Sequence, residues 1–195
     1  MSDNEVDIVQ CHLQVCAGFA DGVAAAAGRW DRPSPCTGWD ARAVLEHVIG
    51  FHDVLLLRPL GAKPDRPRDD PARRWALTVD ALKDLFDRSG LFERVIDVPA
   101  VGNRAPTQID ARLLVPMLSQ DVFIHAWDLA RAVDADDQLD PGLCSVFYGR
   151  LPADPETQVR SGMFKRAVEV SDDTDLPSRL LARLGRDPNW RTPDG

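Results

Sequence analysis

Asp121 and His125 stand four residues apart in the run Asp121-Val122-Phe123-Ile124-His125-Ala126-Trp127-Asp128-Leu129-Ala130-Arg131. The run is apolar enough to read as a buried helix. On a helix, positions i and i+4 share a side, with Cβ atoms roughly 5–6 Å apart. A carboxylate and an imidazole directed into a core break the binary pattern of a packing helix, because buried charge has to be paired, neutralised or bound to a metal. Two ligand-type side chains on one inner face therefore point to a cation site. The plainer alternative is an Asp–His hydrogen bond that only fixes a tautomer.

A third donor has to come from elsewhere, and an upstream helix offers two. Val44, Val48, Phe51 and Leu55 make its apolar stripe, with Arg42, Glu46 and Asp53 on the far side. His47 and His52 lie on opposite margins of that stripe, roughly 140° apart on the helical wheel. They cannot both reach one ion from a regular helix, and spacing does not choose between them.

The elements that position these residues follow from periodicity and breakers. A first helix is predicted from about Asp3 to Ala27, carried by Ile8, Val9, Leu13, Val15, Phe19, Val23 and the alanine run at 24–27. Asp40 is placed to cap a second helix from Ala41 to about Leu57. A Pro/Asp/Arg-rich link leads to a third, from near Pro71 to about Ser89, with proline tolerated in a first turn. Residues 93–98, bounded by Pro99 and Gly102, read as a short edge strand or an extended link. The fourth helix is predicted from about Ile109 to Val133, with Pro116 in its first turns or kinking it. Leu114, Leu118, Val122, Leu129 and Val133 form its apolar arc, and Gln120, Trp127 and Arg131 its opposite side. A short fifth helix runs from Asp140-Pro141 to about Leu151, and another from Leu176 to Leu184. The architecture expected is all-α: an up-and-down four-helix bundle over residues 1–135, with a short, loop-rich helical extension over 136–195 packed on it.

Composition removes several function classes. With 195 residues, 44% hydrophobic and 28% charged, the chain is an ordinary globular size and composition. A formal charge of −8 gives no basic surplus for nucleic-acid phosphates or anionic lipid. No apolar run reaches the roughly 18–20 residues of a membrane span, and the acidic start lacks the features of a secretion signal; a cytoplasmic protein is expected. Cys11, Cys16, Cys36 and Cys144 show no Cys-x-x-Cys pairing and read as buried reduced thiols.

Other candidates carry bland readings. Trp39 and Trp127 read as packing residues and His52 as a satisfied packing histidine. Asp128 reads as a partner of Arg131, or as an acceptor that orients a ligand. Arg66, Arg68, Arg73 and Arg74 read as a solvated basic surface. His12 has no partner legible in the sequence.

A resemblance adds to this. Pro35-Cys36-Thr37-Gly38-Trp39-Asp40, followed by Ala41-Arg42-Ala43-Val44-Leu45-Glu46-His47, resembles a signature of the actinobacterial mycothiol-dependent maleylpyruvate isomerase-like, DinB-like metal-binding proteins. Asp121-x-x-x-His125-x-Trp127-Asp128-Leu129-Ala130-Arg131 is similar to that family's second signature. Leu184-Gly185-Arg186-Asp187-Pro188 is similar to the C-terminal end of its shorter members. The three strings fall in family order and span nearly the whole chain.

The resemblance implies a DinB-like bundle holding a divalent ion, zinc or else nickel, on His47, Asp121 and His125. It thereby selects His47 over His52. Two imidazoles and a carboxylate suit such ions by ligand type, and three protein ligands leave a position open. In the thiol-dependent relatives that position receives the thiolate of mycothiol. The implied partners are a small-molecule thiol and an electrophilic substrate, with a homodimer as one possible assembly. A transferase or isomerase is the implied activity, and a non-catalytic metal-binding or sensor module the alternative. Two departures stand out: the family's isomerase carries Glu where this chain has Asp121, and this chain is shorter at its C-terminal end.

Overall fold

A computed structural model describes residues 2–100, 105–161, 164–171 and 173–192. Its four long helices are α1 (Asp3–Ala25), α2 (Ala41–His52), α3 (Pro71–Phe86) and α4 (Ala111–Ala132). Three short ones follow: α5 (Pro141–Gly149), α6 (Pro155–Ser161) and α7 (Leu176–Arg183). Between α3 and α4 an antiparallel pair, β1 (Val95–Val98) and β2 (Thr107–Asp110), runs in register from Val95↔Asp110 to Val98↔Thr107. The extended reading of 93–98 is a strand over Val95–Val98, with Glu93 closing a 3-10 turn before it, while Gly102 lies outside the described residues. The fourth helix starts at Ala111 because Ile109 is taken up in β2, whose Asp110 then caps α4 by accepting from Arg112 N. Pro116 lies inside α4.

Local chemistry sets the other boundaries. Asp40 accepts from Ala43 N at 2.7 Å and caps α2 as its position predicts. Asp70, Asp140 and Asp175 do the same for α3, α5 and α7, each followed by proline in the first turn. Beyond His52 the second helix widens into a π-helical turn, Asp53–Leu57, before it ends. The α6 turn was not legible as a periodic segment.

Helix α1 packs on α4 and α3, and α2 packs on the same two, so α1 and α2 face each other across the bundle diagonal. Contacts between Glu5 and Arg112, His12 and Ser119, and Gly22 and Leu129 show α1 and α4 running side by side in the same direction. Phe19 against Trp75 and His12 against Phe86 show α3 running opposite to α1. Cys36 near Asp128 and His47 near Asp121 show the same for α2 against α4. Two helices therefore run up and two down. The parallel pair α2–α3 needs a link that travels the length of the bundle, and residues 58–70 supply it. Arg66 pins that link to the π turn through two 2.9 Å bonds to Asp53.

The core holds Val15 and Phe19 from α1, Leu45 and Val48 from α2, Trp75 and Leu82 from α3, and Leu114, Leu118 and Val122 from α4. Each such side chain is worth about 1.5–3 kcal/mol of burial. Helix α4 is buried on more than the predicted arc. Phe123 and Trp127 are buried too: α5 lays Phe147 on Phe123 with ring centroids 5.0 Å apart, and the Arg131 guanidinium lies over the Trp127 ring at 5.2 Å. Among the described residues no helix is long and apolar enough to cross a membrane.

Candidate metal centre

Helices α2 and α4 bring His47, Asp121 and His125 together at mid-bundle. His47 Nε2 lies 3.5 Å from Asp121 Oδ1, and His125 Nε2 lies 3.6 Å from the same oxygen. These donor atoms fall within 4.8 Å of one another. Both separations exceed a good hydrogen bond and approach the spacing of neighbouring ligands around one ion, with bonds of about 2.0–2.2 Å. The shorter Asp in place of Glu still reaches both imidazoles.

The hydrogen bonds around the cluster bear on what fills it. Asp128 Oδ2 accepts from His125 Nδ1 at 2.9 Å. His125 Nε2 then faces the Asp121 carboxylate, and a cation between the two, a proton on that nitrogen or a metal ion, satisfies both. Asp121 Oδ2 is buried with no hydrogen-bond partner, and a buried oxygen left so costs about 1–3 kcal/mol. Burial pushes the Asp121 carboxyl up, but His125 and His47 outweigh it and hold it below the usual carboxylate range. An ionised carboxylate with a free oxygen and two imidazoles is a donor set that fits a divalent ion.

Asp128 is tied to the C-terminal segment rather than to Arg131, which pairs with Asp137 instead. Arg186 Nη2 donates to Asp128 Oδ2 at 2.8 Å. Burial acts to raise the Asp128 carboxyl, but Arg186 and His125 hold it well below the ordinary range. The same partnership holds Arg186 charged although it is buried.

Cys36, in the loop before α2, places its Sγ 3.2 Å from Asp128 Oδ2 and 3.6 Å from Arg186 Nη2. Burial, and then the Asp128 carboxylate, push its thiol up to about 12. It is a protonated donor to Asp128, not a ready nucleophile.

A pocket of about 190 Å³ opens beside the cluster, lined by Cys36, Trp39, His47, His125, Lys165 and Arg186 among others. Trp39 is more than packing. Its ring stacks on His125 at 5.9 Å and 24°, and lies 4.8 Å from that of His47. Lys165 brings an exposed cation to the rim, its Nζ 2.6 Å from Thr37 Oγ1. Gly185 makes that meeting possible: its φ is +77°, and a Cβ there would stand 2.8 Å from Lys165 Cβ and 2.9 Å from Lys165 O.

Of the other sequence candidates, His52 lies away from the cluster and faces His12 in the core. Arg66 is buried on Asp53 and Arg74 pairs with Glu46, so those two are internal ties and not an open basic surface. Cys36, Lys165 and Arg186 are the site residues that patterning missed. Cys36 and Arg186 lie inside the strings that carry the family resemblance, which was the one available signal.

The chain is similar to known proteins over most of its length. Two uncharacterized proteins of Mycobacterium tuberculosis, from strains CDC 1551 / Oshkosh and ATCC 25618 / H37Rv, are each 25% identical over 190 residues, covering 93% of this chain and 98% of theirs. No solved structure matches. The family model described as the mycothiol maleylpyruvate isomerase N-terminal domain matches residues 12–130, a span that contains α2, all but the last two residues of α4, and all three converging side chains. This DinB-like helical bundle belongs to the mycothiol maleylpyruvate isomerase N-terminal domain family.

Proposed function

We propose that the chain binds a divalent ion, zinc or else nickel, on His47, Asp121 and His125, and with a small thiol such as mycothiol acts as a transferase or isomerase on an electrophilic small molecule. The observation that carries this reading is Asp121 itself: its Oδ1 lies 3.5 and 3.6 Å from the His47 and His125 imidazoles that line the pocket, and its Oδ2 is buried with no hydrogen-bond partner. An ion held by three protein donors keeps a position open, acidifies a thiol or water there and polarises a carbonyl.

The chain's own residues supply the rest. Asp128 fixes the His125 ring by its Nδ1 proton, which favours binding through Nε2. Arg186 keeps Asp128 ionised and in place. Trp39 gives the pocket a flat apolar wall, and Lys165 favours an anionic group at the rim. In this reading residues 1–135 are the ion-binding bundle, and residues 136–195 are an extension that closes the pocket with Lys165 and Arg186. The family's description names mycothiol, and a thiol that the ion would hold as its thiolate suits a pocket with a cationic rim.

The test is turnover of an activated electrophile, such as an α,β-unsaturated acid, by the zinc-loaded protein with mycothiol. The reading predicts consumption that needs both ion and thiol and falls at least about a hundredfold in His47→Ala, as loss of a transition-state contact does. An ion bound tightly without thiol-dependent turnover would leave a metal-binding module and end the catalytic reading.

A further inference from the structure

His12 and His52 meet across the bundle diagonal, both wholly buried. Their Nε2 atoms are 3.3 Å apart and neither belongs to the cluster above. The outer nitrogens have partners. His52 Nδ1 lies 2.7 Å from Val48 O, a carbonyl that can only accept, so His52 Nδ1 carries the proton. His12 Nδ1 lies 3.0 Å from Ser119 Oγ, whose hydroxyl is 2.8 Å from Val115 O. With the Ser119 proton on Val115 O, its oxygen accepts from His12 Nδ1. Both Nε2 atoms are then left as lone pairs facing each other.

Four contacts run along this chain, from Val48 O through His52, His12 and Ser119 to Val115 O. Three neutral groups bring only three protons to them. One contact lacks its proton, and the Nε2–Nε2 contact is the one left over when the three shortest bonds, at 2.7, 2.8 and 3.0 Å, are kept. Its 3.3 Å exceeds the usual hydrogen-bond range. Two bonds of about 2.05 Å to a common ion would span it at an angle of about 107°, close to tetrahedral. A third donor is present. Cys16 is wholly buried, and its Sγ and one ring nitrogen from each histidine all lie within 4.8 Å of one another.

We infer that His12, Cys16 and His52 form a second, closed ion site at the centre of the bundle, for a thiophilic cation such as zinc or monovalent copper. Two imidazoles and a thiolate select such ions by softness. The outer bonds to Val48 O and Ser119 orient both rings, as the outer partners of ligating histidines do. Burial lowers the pKa of both histidines, and their mutual repulsion lowers that of His12 further, so each stays in its neutral, ligating form. Burial pushes the Cys16 thiol up to about 12; an incoming ion displaces that proton to solvent. All three donors are wholly buried, so no substrate reaches an ion there and the role is to clamp α1 to α2, helices that barely touch elsewhere. The competing arrangement turns the Ser119 hydroxyl onto His12 and needs no ion.

Native mass spectrometry of the whole chain, loaded with zinc or with monovalent copper, counts the ions, and cobalt substitution reports their ligands. The inference predicts one ion retained in His125→Ala and lost in His12→Gln and in the near-isosteric Cys16→Ser. It also predicts thiolate-to-cobalt charge-transfer absorption in wild type, His125→Ala and Cys36→Ser, but not in Cys16→Ser. If His12→Gln fails to fold, the wild-type and His125→Ala spectra decide alone. An ion count of zero in His125→Ala, or a cobalt spectrum without a thiolate band, overturns it and leaves the dry hydrogen-bonded pair. Failure of this site leaves the His47 cluster untouched, and a lost His47 ion leaves this one.

Discussion

Asp128 Oδ2 takes the Nδ1 proton of His125 at 2.9 Å, one helical turn further along α4. The bond dictates which nitrogen of His125 faces Asp121 and His47, and so it governs the site from outside. Replacing Asp128 with Asn frees the ring to flip and leaves Arg186 buried without a counter-charge. Affinity for zinc should fall about 10–100-fold, and stability by about 3–5 kcal/mol through the stranded guanidinium. Competition titration with a chromophoric chelator reads the first and urea unfolding the second. An unchanged zinc affinity would mean that His125 is not held through Asp128.

Cys36 offers a chemical check on the electrostatics of the pocket. The residue is half-buried, and burial and then the Asp128 carboxylate push its thiol up to about 12. Near pH 8 almost none is thiolate, so alkylation by iodoacetamide should run about a hundredfold slower than for a small free thiol, the deficit softened by the greater nucleophilicity of a high-pKa sulfur. Peptide mass spectrometry follows the modification. Reaction at the rate of a free thiol would show that the carboxylate does not control this sulfur.

Much of the bundle was legible because its signals are local. Asp40, Pro71 and Asp140-Pro141 announce helix starts, and the recurrence of Val15, Phe19 and Val23 shows a buried face. Asp121 and His125 stood out because a carboxylate on an apolar arc needs a reason. Long-range ties were not legible. Arg186 reaches Asp128 from 58 residues away, and Cys36 meets Arg186 from 150; no periodicity encodes either. His12 looked solitary because its partner His52 sits on the diagonal helix. Arg66 looked like surface because a Pro/Asp/Arg-rich link hides one buried anchor among exposed charges.

That anchor should matter to stability. Arg66 and Asp53 are 4% and 7% exposed and make two 2.9 Å bonds, which hold the crossover between parallel helices. Removing one partner strands a buried charge, so Arg66→Ala or Asp53→Ala should each cost about 3–5 kcal/mol. The pair Arg66→Met with Asp53→Leu should recover much of that, because apolar replacement of both partners removes the desolvation penalty. A double-mutant cycle by urea unfolding measures the coupling. Single losses below about 1 kcal/mol would show the tie to be ornamental.

The central claim is that one cation joins α2 to α4. A crystal grown with zinc and measured at the zinc absorption edge tests it most directly. The account predicts an anomalous peak about 2.0–2.2 Å from His47 Nε2, His125 Nε2 and an Asp121 carboxylate oxygen. Zinc-saturated crystals with no peak there, and with Asp121 instead closing directly onto the two imidazoles by ordinary hydrogen bonds, would contradict it.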